Sequence, residues 1–494
     1  MAGGRPLGDR RGAGDSPVGK FLIRWHPLLI PAGVLLFYLP FIPRAFMGDD
    51  WLWLAHADKA LADPALLLSR PIYGYFRPLY MLYIGVLQQA FGRHAFAFAL
   101  TNLSLHLLNC YLLIRLLARL GLSHAITVSA AIFFGFYFLT CPAVCWISAG
   151  SDLLALTLVL PFIMQLITYY DTPSAKRLLL IIATGLAAAL VKETGFICVL
   201  LFFLHPLLRQ RNPLGAGYAV GGAVMIVLSV GFLGWYFGTR SFIDKGLVFN
   251  LEIITNLWYL AGYQLLPLSQ RLVEGSGGGV RPLLTLVKAV ITLVLPVVWV
   301  WLFIKKDAAV RLFLLWPLLF LGPVALFDWN VGLFDLYPQR TASRYMYIAI
   351  PGTAVLVAVM VSHLYYRLKH WRPFAVVGLL LFLAGNAAAV YTVTRTYRAR
   401  QAESTGLYGQ ISQHRDWLTG CTHVIIAAES ASESPTLFGY PRVLESICYL
   451  ITGRDIAVTV LADPSGDRSG APDPCVLVWV GAENRFQPSE TANP

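Results

Sequence analysis

The sequence predicts a mainly α-helical protein, a polytopic membrane helix bundle followed by a small α/β domain. Hydrophobic residues make up 57% of the 494 residues and charged residues only 13%, whereas soluble domains carry about 25% charge. Apolar runs of bilayer-spanning length recur up to about residue 392, and a more polar tail follows. The composition therefore excludes an ordinary soluble globular protein.

The distribution of positive charge gives the orientation. The formal net charge is +12, yet Lys and Arg fall in small groups between apolar runs rather than on one soluble face. This pattern is typical of cytoplasmic loops and does not indicate nucleic-acid binding. With the basic segment 1–26 in the cytoplasm and no cleavable signal peptide evident, we predict a multi-pass protein of the inner (plasma) membrane with an external C-terminus.

The membrane domain is predicted to cover residues 27–394 and to cross the bilayer about eleven times. The predicted spans are residues 27–43, 95–117, 125–139, 153–169, 178–191, 194–208, 216–237, 282–303, 312–327, 345–366 and 374–392. Segment 78–91 is too short to cross, so we predict a helix at the outer interface within the first external loop. A second external segment contains an amphipathic stretch at 251–266.

The tail, residues 395–494, differs from the rest in its pattern. Apolar runs at 424–427 and 476–480 predict buried strands, and residues 443–452 predict a helix. We therefore expect a small extracytoplasmic α/β domain. Cys421 and Cys475 flank the two strands, and sequence leaves open whether they form a disulfide or stay reduced.

Two adjacent carboxylates, Asp49 and Asp50, follow the first predicted span. Carboxylates at a membrane surface repel each other and gain nothing from lipid, so the pair suggests chemistry or a bound cation. The structural alternative is a hydrated loop in which Asp50 caps the helix that starts at Trp51.

Other polar residues are predicted on the same external side. These are His56, Arg77, Asp152, Lys192, Glu193, Arg340, Arg344 and Tyr345. Four of them have a structural alternative: Asp152 with Ser151 as a helix cap, Lys192 and Glu193 neutralising each other, and Arg77 reaching past lipid to the interface. Arg340 and Arg344 run against the positive-inside trend, and an anionic headgroup would explain them.

A polar stripe lies on one face of the second predicted span. Asn102, His106 and Asn109 are spaced i, i+4 and i+7. Such a stripe faces the interior of the bundle, where it either reaches a substrate or bonds neighbouring helices.

Six short patterns, in this order, resemble those of the GT-C glycosyltransferases, and within them the protein O-mannosyltransferase-like branch. They are Asp49-Asp50, Arg77-Pro78-Leu79, Asn102-x-x-x-His106, Trp146-x-Ser148-x-x-Ser151-Asp152, Lys192-Glu193-Thr194-Gly195 and Ser343-Arg344-Tyr345-Met346-Tyr347. The resemblance covers about residues 45–351. The tail departs from it, with neither tetratricopeptide repeats nor an evident β-trefoil.

The resemblance implies transfer of a sugar from a polyprenyl-phosphate donor to an external acceptor, a protein, lipid or glycan, with inversion. It places Asp49 at the catalytic position, with Asp50 and Asp152 as further carboxylates. His56, Arg77, Asn102, His106, Lys192, Glu193, Arg340, Arg344 and Tyr345 would contact substrate. It requires no cofactor, and Asp49 and Asp152 are the residues that would hold a divalent metal. We expect these groups to line a cavity that opens externally.

Two other classes of function are weighed against this one. A polyprenyl-linked sugar transporter would be expected to carry mid-membrane charge pairs and repeated halves, and the sequence shows no repeat. An O-antigen polymerase or ligase would depend on arginines in one large loop and not on the early acidic pair.

Overall fold

The computed structural model of the protein describes residues 17–69, 76–209, 216–238, 252–265, 280–326, 343–367, 372–428, 441–461, 475–480 and 485–488. Most of these residues are helical, several of the helices are strongly apolar, and one small sheet lies near the C-terminus. This confirms the predicted fold class of a mainly helical chain with a small C-terminal α/β region.

The helices are numbered in chain order. They are α1 Pro17–Tyr38, α2 Asp49–Ala62, α3 Leu66–Ser69, α4 Pro78–Phe91, α5 Ala95–Arg119, α6 His124–Phe136, α7 Cys141–Val144, α8 Gly150–Asp171, α9 Ala175–Val191, α10 Ile197–Arg209, α11 Ala216–Gly238, α12 Glu252–Leu265, α13 Val280–Lys305, α14 Ala308–Ala325, α15 Ile350–Arg367, α16 Arg372–Gln413, α17 Arg415–Thr419 and α18 Pro441–Thr452. Short 3₁₀ turns at Leu39–Phe41, Phe138–Thr140, Ile147–Ala149, Glu193–Phe196 and Ser343–Met346 separate some of them.

Apolar length identifies the strongest membrane-crossing helices. In the described part of the chain, four stretches are long and apolar enough: Ala95–Arg119, Ile147–Asp171, Ala308–Ala325 and Val376–Gln413. A bent pair, His124–Phe136 with Phe138–Val144, raises the number to five if it forms one broken span. These helices indicate a multi-pass membrane protein. The other predicted spans also coincide with helices, and the total of about eleven stays a prediction.

The short apolar segments predicted at 78–91, 178–191 and 194–208 fold as separate helices. Helix α4 has 14 residues. At 1.5 Å per residue it is about 21 Å long, which is shorter than the bilayer core. Helices α9 and α10 are separate and joined by the 3₁₀ turn Glu193–Phe196. The predicted amphipathic stretch forms α12.

The predicted boundary between membrane domain and tail lies inside one helix. Helix α16 has 42 residues and continues through residues 394 and 395 to Gln413. No proline occurs in it after Pro373, and threonine, arginine and glutamine continue the helix in water once the apolar run ends. The tail is therefore tied to the last predicted span by a continuous rod.

The tail folds as a four-stranded sheet with α18. Strands β1 His423–Ala428, β2 Ala457–Leu461, β3 Cys475–Val480 and β4 Arg485–Pro488 lie in the order β2-β1-β3-β4. The pairs β1–β2 and β1–β3 are parallel, and β3–β4 is antiparallel. The predicted runs 424–427 and 476–480 are β1 and β3, at the centre of the sheet. Strands β2 and β4 were not predicted. The apolar signal of β4 is weak, since Arg485 and Gln487 are polar, whereas four of the five residues of β2 are apolar and could have indicated a strand.

Cys421 and Cys475 form a disulfide, with their Cα atoms 5.9 Å apart. Val424 is the register partner of Cys475 in the parallel pair of β1 and β3. Parallel strands begin at the same edge of a sheet, so a cysteine just before β1 meets the first residue of β3.

The tail packs on α2, the first helix after the acidic pair. Trp51 stacks on Tyr408 of α16 with ring centroids 4.7 Å apart, and its indole Nε1 donates to Ser404 Oγ at 2.5 Å. At the other end of α2, Lys59 forms an ion pair with Asp455, and its ammonium lies 4.4 Å from the Tyr449 ring centroid. Helix α2 is thus held by the tail along its length.

The predicted orientation can be tested by labelling single added cysteines with a membrane-impermeant thiol reagent. Arg415→Cys on α17 should label in intact cells, because the tail is predicted to be external. Lys176→Cys, which is equally exposed at the surface of the protein, lies in a predicted cytoplasmic loop and should label only after lysis. The reverse pattern would invert the whole topology.

Candidate functional site

The buried carboxylate of Asp50 joins the start of α2 to the turn before α8. Its Oδ1 accepts hydrogen bonds from the backbone N–H of Ser148 at 2.7 Å and from the Ser148 hydroxyl, and its Oδ2 accepts from the Met47 N–H at 2.9 Å. Asp50 is 2% exposed. Burial raises its pKa to about 7, against the opposing effect of the Ser148 and Met47 hydrogen bonds, and the charge of Asp49 adds to the rise.

Asp50 is therefore not the helix cap of the structural alternative. Helix α2 begins at Asp49, and its N-cap is Gly48, with φ of 50°. That positive φ favours glycine and turns the chain so that the Met47 N–H faces the Asp50 carboxylate. The sequence indicated no separate role for Ser148, although this residue lies within one of the six patterns that resemble the GT-C glycosyltransferases.

Asp49 differs from its neighbour in exposure. It is the first residue of α2 and is only half-buried, whereas Asp50 is fully enclosed. Its position in the first helical turn places its carboxylate near the positive end of the helix dipole. Of the two predicted acids, Asp49 is the one that a substrate could reach.

A second carboxylate, Asp152, forms a buried ion pair with Lys192. Both side chains are about 5% exposed or less. Burial lowers the pKa of Lys192, Arg77 lowers it further, and the charge of Asp152 opposes the change. The helix cap predicted as the alternative for Asp152 is not observed, since the N-cap of α8 is Ala149.

Arg77 and Glu193 form the second ion pair of the cluster. Arg77 Nε and Nη2 donate to Glu193 Oε2 at 3.0 and 2.8 Å, and Nη1 donates to Ser151 Oγ at 3.4 Å. The guanidinium also lies 5.9 Å from the Trp53 ring centroid of α2. Burial raises the pKa of Glu193, but the charge and hydrogen bonds of Arg77 outweigh it, and the net shift is downward.

These contacts correct two of the structural alternatives. Lys192 and Glu193 do not neutralise each other, because each pairs with a partner from another segment. Arg77 does not reach past lipid to the interface, because it is 9% exposed and faces Glu193. A tight turn directs the two neighbours apart: a Cβ on Gly195 would lie 2.2 Å from the backbone of Ala188, so glycine lets the turn fold back on α9.

Tyr345 reaches the same cluster from the start of the following helical segment. Its ring centroid lies 5.5 Å from the Lys192 ammonium. Arg344 is its chain neighbour in the turn Ser343–Met346, and its side chain lies outside the described part of the structure. Arg340 lies outside the described residues altogether.

The polar stripe of α5 bonds neighbouring helices. Asn102 Nδ2 donates to the carbonyl of Trp146 at 3.2 Å. His106 is fully buried and contacts the Tyr347 hydroxyl at 2.8 Å and the Gly135 carbonyl at 3.2 Å through its two ring nitrogens. The structure thus favours the packing alternative for Asn102 and His106, and Asn102 supports the loop that presents Ser148.

His56 is turned toward the tail. Burial lowers its pKa to about 4; the charge of Lys59 adds to the fall, and Asp455 opposes it. Because Lys59 and Asp455 form the contact between α2 and the tail, His56 belongs to that contact.

The predicted cavity was expected to be lined by Asp49 and Asp152. That cavity stays a prediction. A cleft of about 600 Å³ lies beside the loop before α2 and is lined by other residues, among them Arg44, Ala45 and Arg398. For a metal, the described residues contain no group of three or more His, Cys, Asp or Glu side chains placed to hold an ion.

No protein-family model matches the chain, and no curated protein sequence matches it significantly. Two solved structures of ArnT from Cupriavidus metallidurans are similar to it. The apo structure has a TM-score of 0.47 at 14% identity and covers 89% of this chain and 86% of its own. The structure bound to undecaprenyl phosphate has a TM-score of 0.45 at 13% identity, with coverages of 91% and 87%. Likeness at this level assigns neither a family nor an activity to the chain.

Proposed function

We propose that the protein is an integral-membrane glycosyltransferase that moves a sugar from a polyprenyl-phosphate donor to an external acceptor. The observation that carries the proposal is the unequal environment of two adjacent acids. Asp50 is buried and hydrogen-bonded to Ser148 and Met47, while Asp49 beside it is half-buried at the start of α2. One acid can hold the loops in place and leave the other for chemistry.

Asp49 acts as the general base in this proposal. The acceptor hydroxyl oxygen forms a bond to the anomeric carbon, and its proton passes to the Asp49 carboxylate. The bond from the anomeric carbon to the phosphate oxygen breaks on the opposite side, and its electron pair leaves with the polyprenyl phosphate. A single displacement of this kind inverts the anomeric configuration.

The cluster of Arg77, Lys192, Asp152 and Glu193 supports the departing phosphate. As the phosphate leaves it gains negative charge, which nearby cations stabilise. Both cations are held in place by carboxylates, so they are oriented in advance. Arg340 and Arg344 are proposed as the further contacts of the headgroup, next to Tyr345. If a divalent metal takes part, Asp49 is its proposed ligand, since the Asp152 carboxylate is paired with Lys192.

The proposal includes membership of the O-mannosyltransferase-like branch. It names no particular sugar, and it takes a protein, lipid or glycan as the acceptor. An O-antigen polymerase or ligase is the competing class. The two are separated by a pair of variants: Asp49→Asn should abolish a transferase, while a polymerase or ligase should lose activity with Arg340→Ala and keep it with Asp49→Asn.

The first prediction concerns the base. Asp49→Asn keeps the size of the side chain and removes its proton affinity, so turnover should fall about 100-fold or more. The measurement is single-turnover transfer from a polyprenyl-phosphate sugar in vesicles that contain cell-envelope acceptors. Asp63→Asn, at the exposed far end of the same helix, is the matched control and should transfer normally. Near-normal transfer by Asp49→Asn would remove Asp49 from the chemistry.

The second prediction concerns donor binding. Arg344→Ala removes positive charge from the proposed headgroup region, so the donor should bind about tenfold more weakly, while turnover at saturating donor changes little. Equilibrium binding of a labelled polyprenyl-phosphate sugar to the purified protein measures this directly. Unchanged donor affinity in Arg344→Ala would exclude this arginine from the headgroup site.

The third prediction concerns Asp50 and pH. Its folded pKa of about 7 lies above the ordinary value of 3.8 for an aspartate, so the folded protein holds this proton more tightly and loses stability as pH rises toward 7. Asp50→Asn cannot titrate. The stability of the wild type relative to Asp50→Asn should therefore fall by about 2 kcal/mol between about pH 5.5 and pH 7.5. Thermal unfolding of both proteins across this range is the measurement. The titration of His56 contributes equally to the stability of both proteins, so it cancels in their difference. A difference that does not vary with pH would contradict the raised pKa.

A further inference from the structure

A cleft lined by two arginines lies between the predicted first external loop and α16, away from the ion pairs around Asp152. Its volume is about 600 Å³, within the range of small-ligand sites. One wall is the loop at Arg44 and Ala45, and the other is a stripe of α16 that begins at Arg398. Nothing in the proposed sugar transfer uses this cleft.

The cleft carries positive charge that its own lining does not compensate. Among the described residues that line it are two arginines, Arg44 and Arg398, and no Asp or Glu. Both arginines are exposed. Arg398 Nη2 donates to the Pro40 carbonyl at 3.1 Å, which orients the guanidinium and leaves its charge unneutralised. Two guanidinium groups facing one acid-free cleft form a site for an anion with several acceptor oxygens.

The floor of the cleft is made of small residues. Ala402, Gly406 and Gly409 follow Arg398 on one side of α16. A Cβ built on Gly406 or Gly409 would meet nothing within 4 Å. The stripe therefore leaves space beside the two arginines, and a glutamine, Gln410, adds an amide at its far end.

The height of the cleft relative to the membrane follows from the apolar surface below it. Leu36 and Leu39 are 72% and 44% exposed, as expected of lipid-facing side chains at the end of α1 and the turn after it. Pro40, the residue after Leu39, accepts the hydrogen bond from Arg398. On α16 the last large exposed apolar residue described is Tyr391, seven residues and about 10 Å before Arg398 along the helix axis. Both guanidinium groups thus lie where the apolar surface ends, at the level of lipid headgroups.

From this geometry we infer that the cleft between Arg44 and Arg398 is a binding site for a phosphate group, carried by a membrane lipid headgroup or supplied as free phosphate. Basic pockets at the edge of the apolar surface bind anionic lipid phosphates through such arginine contacts. Bound there, the phosphate would bridge the first external loop, four residues before Gly48, to the rod that carries the tail.

The test uses the full-length protein purified in a neutral maltoside detergent, with three probes: phosphatidylglycerol, phosphatidylcholine and inorganic phosphate. Native mass spectrometry and thermal shift report binding. Arg44→Gln/Arg398→Gln should weaken phosphatidylglycerol binding about tenfold or more. Gly406→Leu should do the same by filling the floor, in a direction where the added side chain meets no neighbour, and it leaves both arginines in place.

A charge-matched control separates the cleft from general surface charge. Arg400→Gln/Arg415→Gln removes the same charge from two exposed arginines that do not line the cleft, and Arg400 lies about 200° around α16 from Arg398. The control should bind phosphatidylglycerol as the wild type does. If inorganic phosphate raises the unfolding temperature of the wild type but not of the two cleft variants, free phosphate is a source of the bound group. If only phosphatidylglycerol raises it, the lipid headgroup is the source. The inference would be overturned if both cleft variants bound all three probes as the wild type does.

Discussion

The hydrogen-bonded carboxylate of Asp50 is the interaction on which the arrangement of the predicted outer face depends. It joins the start of α2 to the turn before α8, two segments almost a hundred residues apart in sequence. A buried carboxylate is costly unless its oxygens are bonded, and here three donors surround it. With that link in place, Ser151 and Asp152 follow directly and meet the residues of two further segments.

Around this link the charged side chains pair with partners from distant segments rather than with their neighbours in sequence. Lys192 pairs with Asp152 in a buried ion pair, and Arg77 pairs with Glu193 in a partly buried one, so that three segments are cross-connected. Removing one member of a buried pair leaves an uncompensated charge, which costs about 3–5 kcal/mol. The arrangement therefore ties these three segments to one another. It also presents two cations in fixed orientation, which suits a site where a phosphate gains charge.

Helix α2 couples this outer face to the tail. Its first residues are the acidic pair, Trp51 stacks on α16, and Lys59 contacts the sheet domain through Asp455. Trp53, two residues beyond Trp51, lies near the Arg77 guanidinium. Helix α2 therefore connects the tail to the acidic pair and to the Arg77 ion pair. The continuous helix α16 joins the last predicted span to the tail without a break.

The sequence by itself determined the mainly helical membrane class, the short helix α4, the separation of α9 from α10 and the central strands of the tail. These follow from local properties: apolar length, periodicity and turn residues, which depend on neighbours in the chain. It also singled out most of the charged residues that meet at the outer face. Only the tertiary structure decided which of them pair, because Lys192 and Glu193 each have an adjacent partner in sequence but bond across the fold. The same holds for Asp50, whose local alternative was a helix cap, and for His106, whose ring nitrogens are both engaged by neighbouring segments. A buried polar group bonds whichever complementary group the packing brings to it, and that choice is set by long-range contacts that no local pattern records.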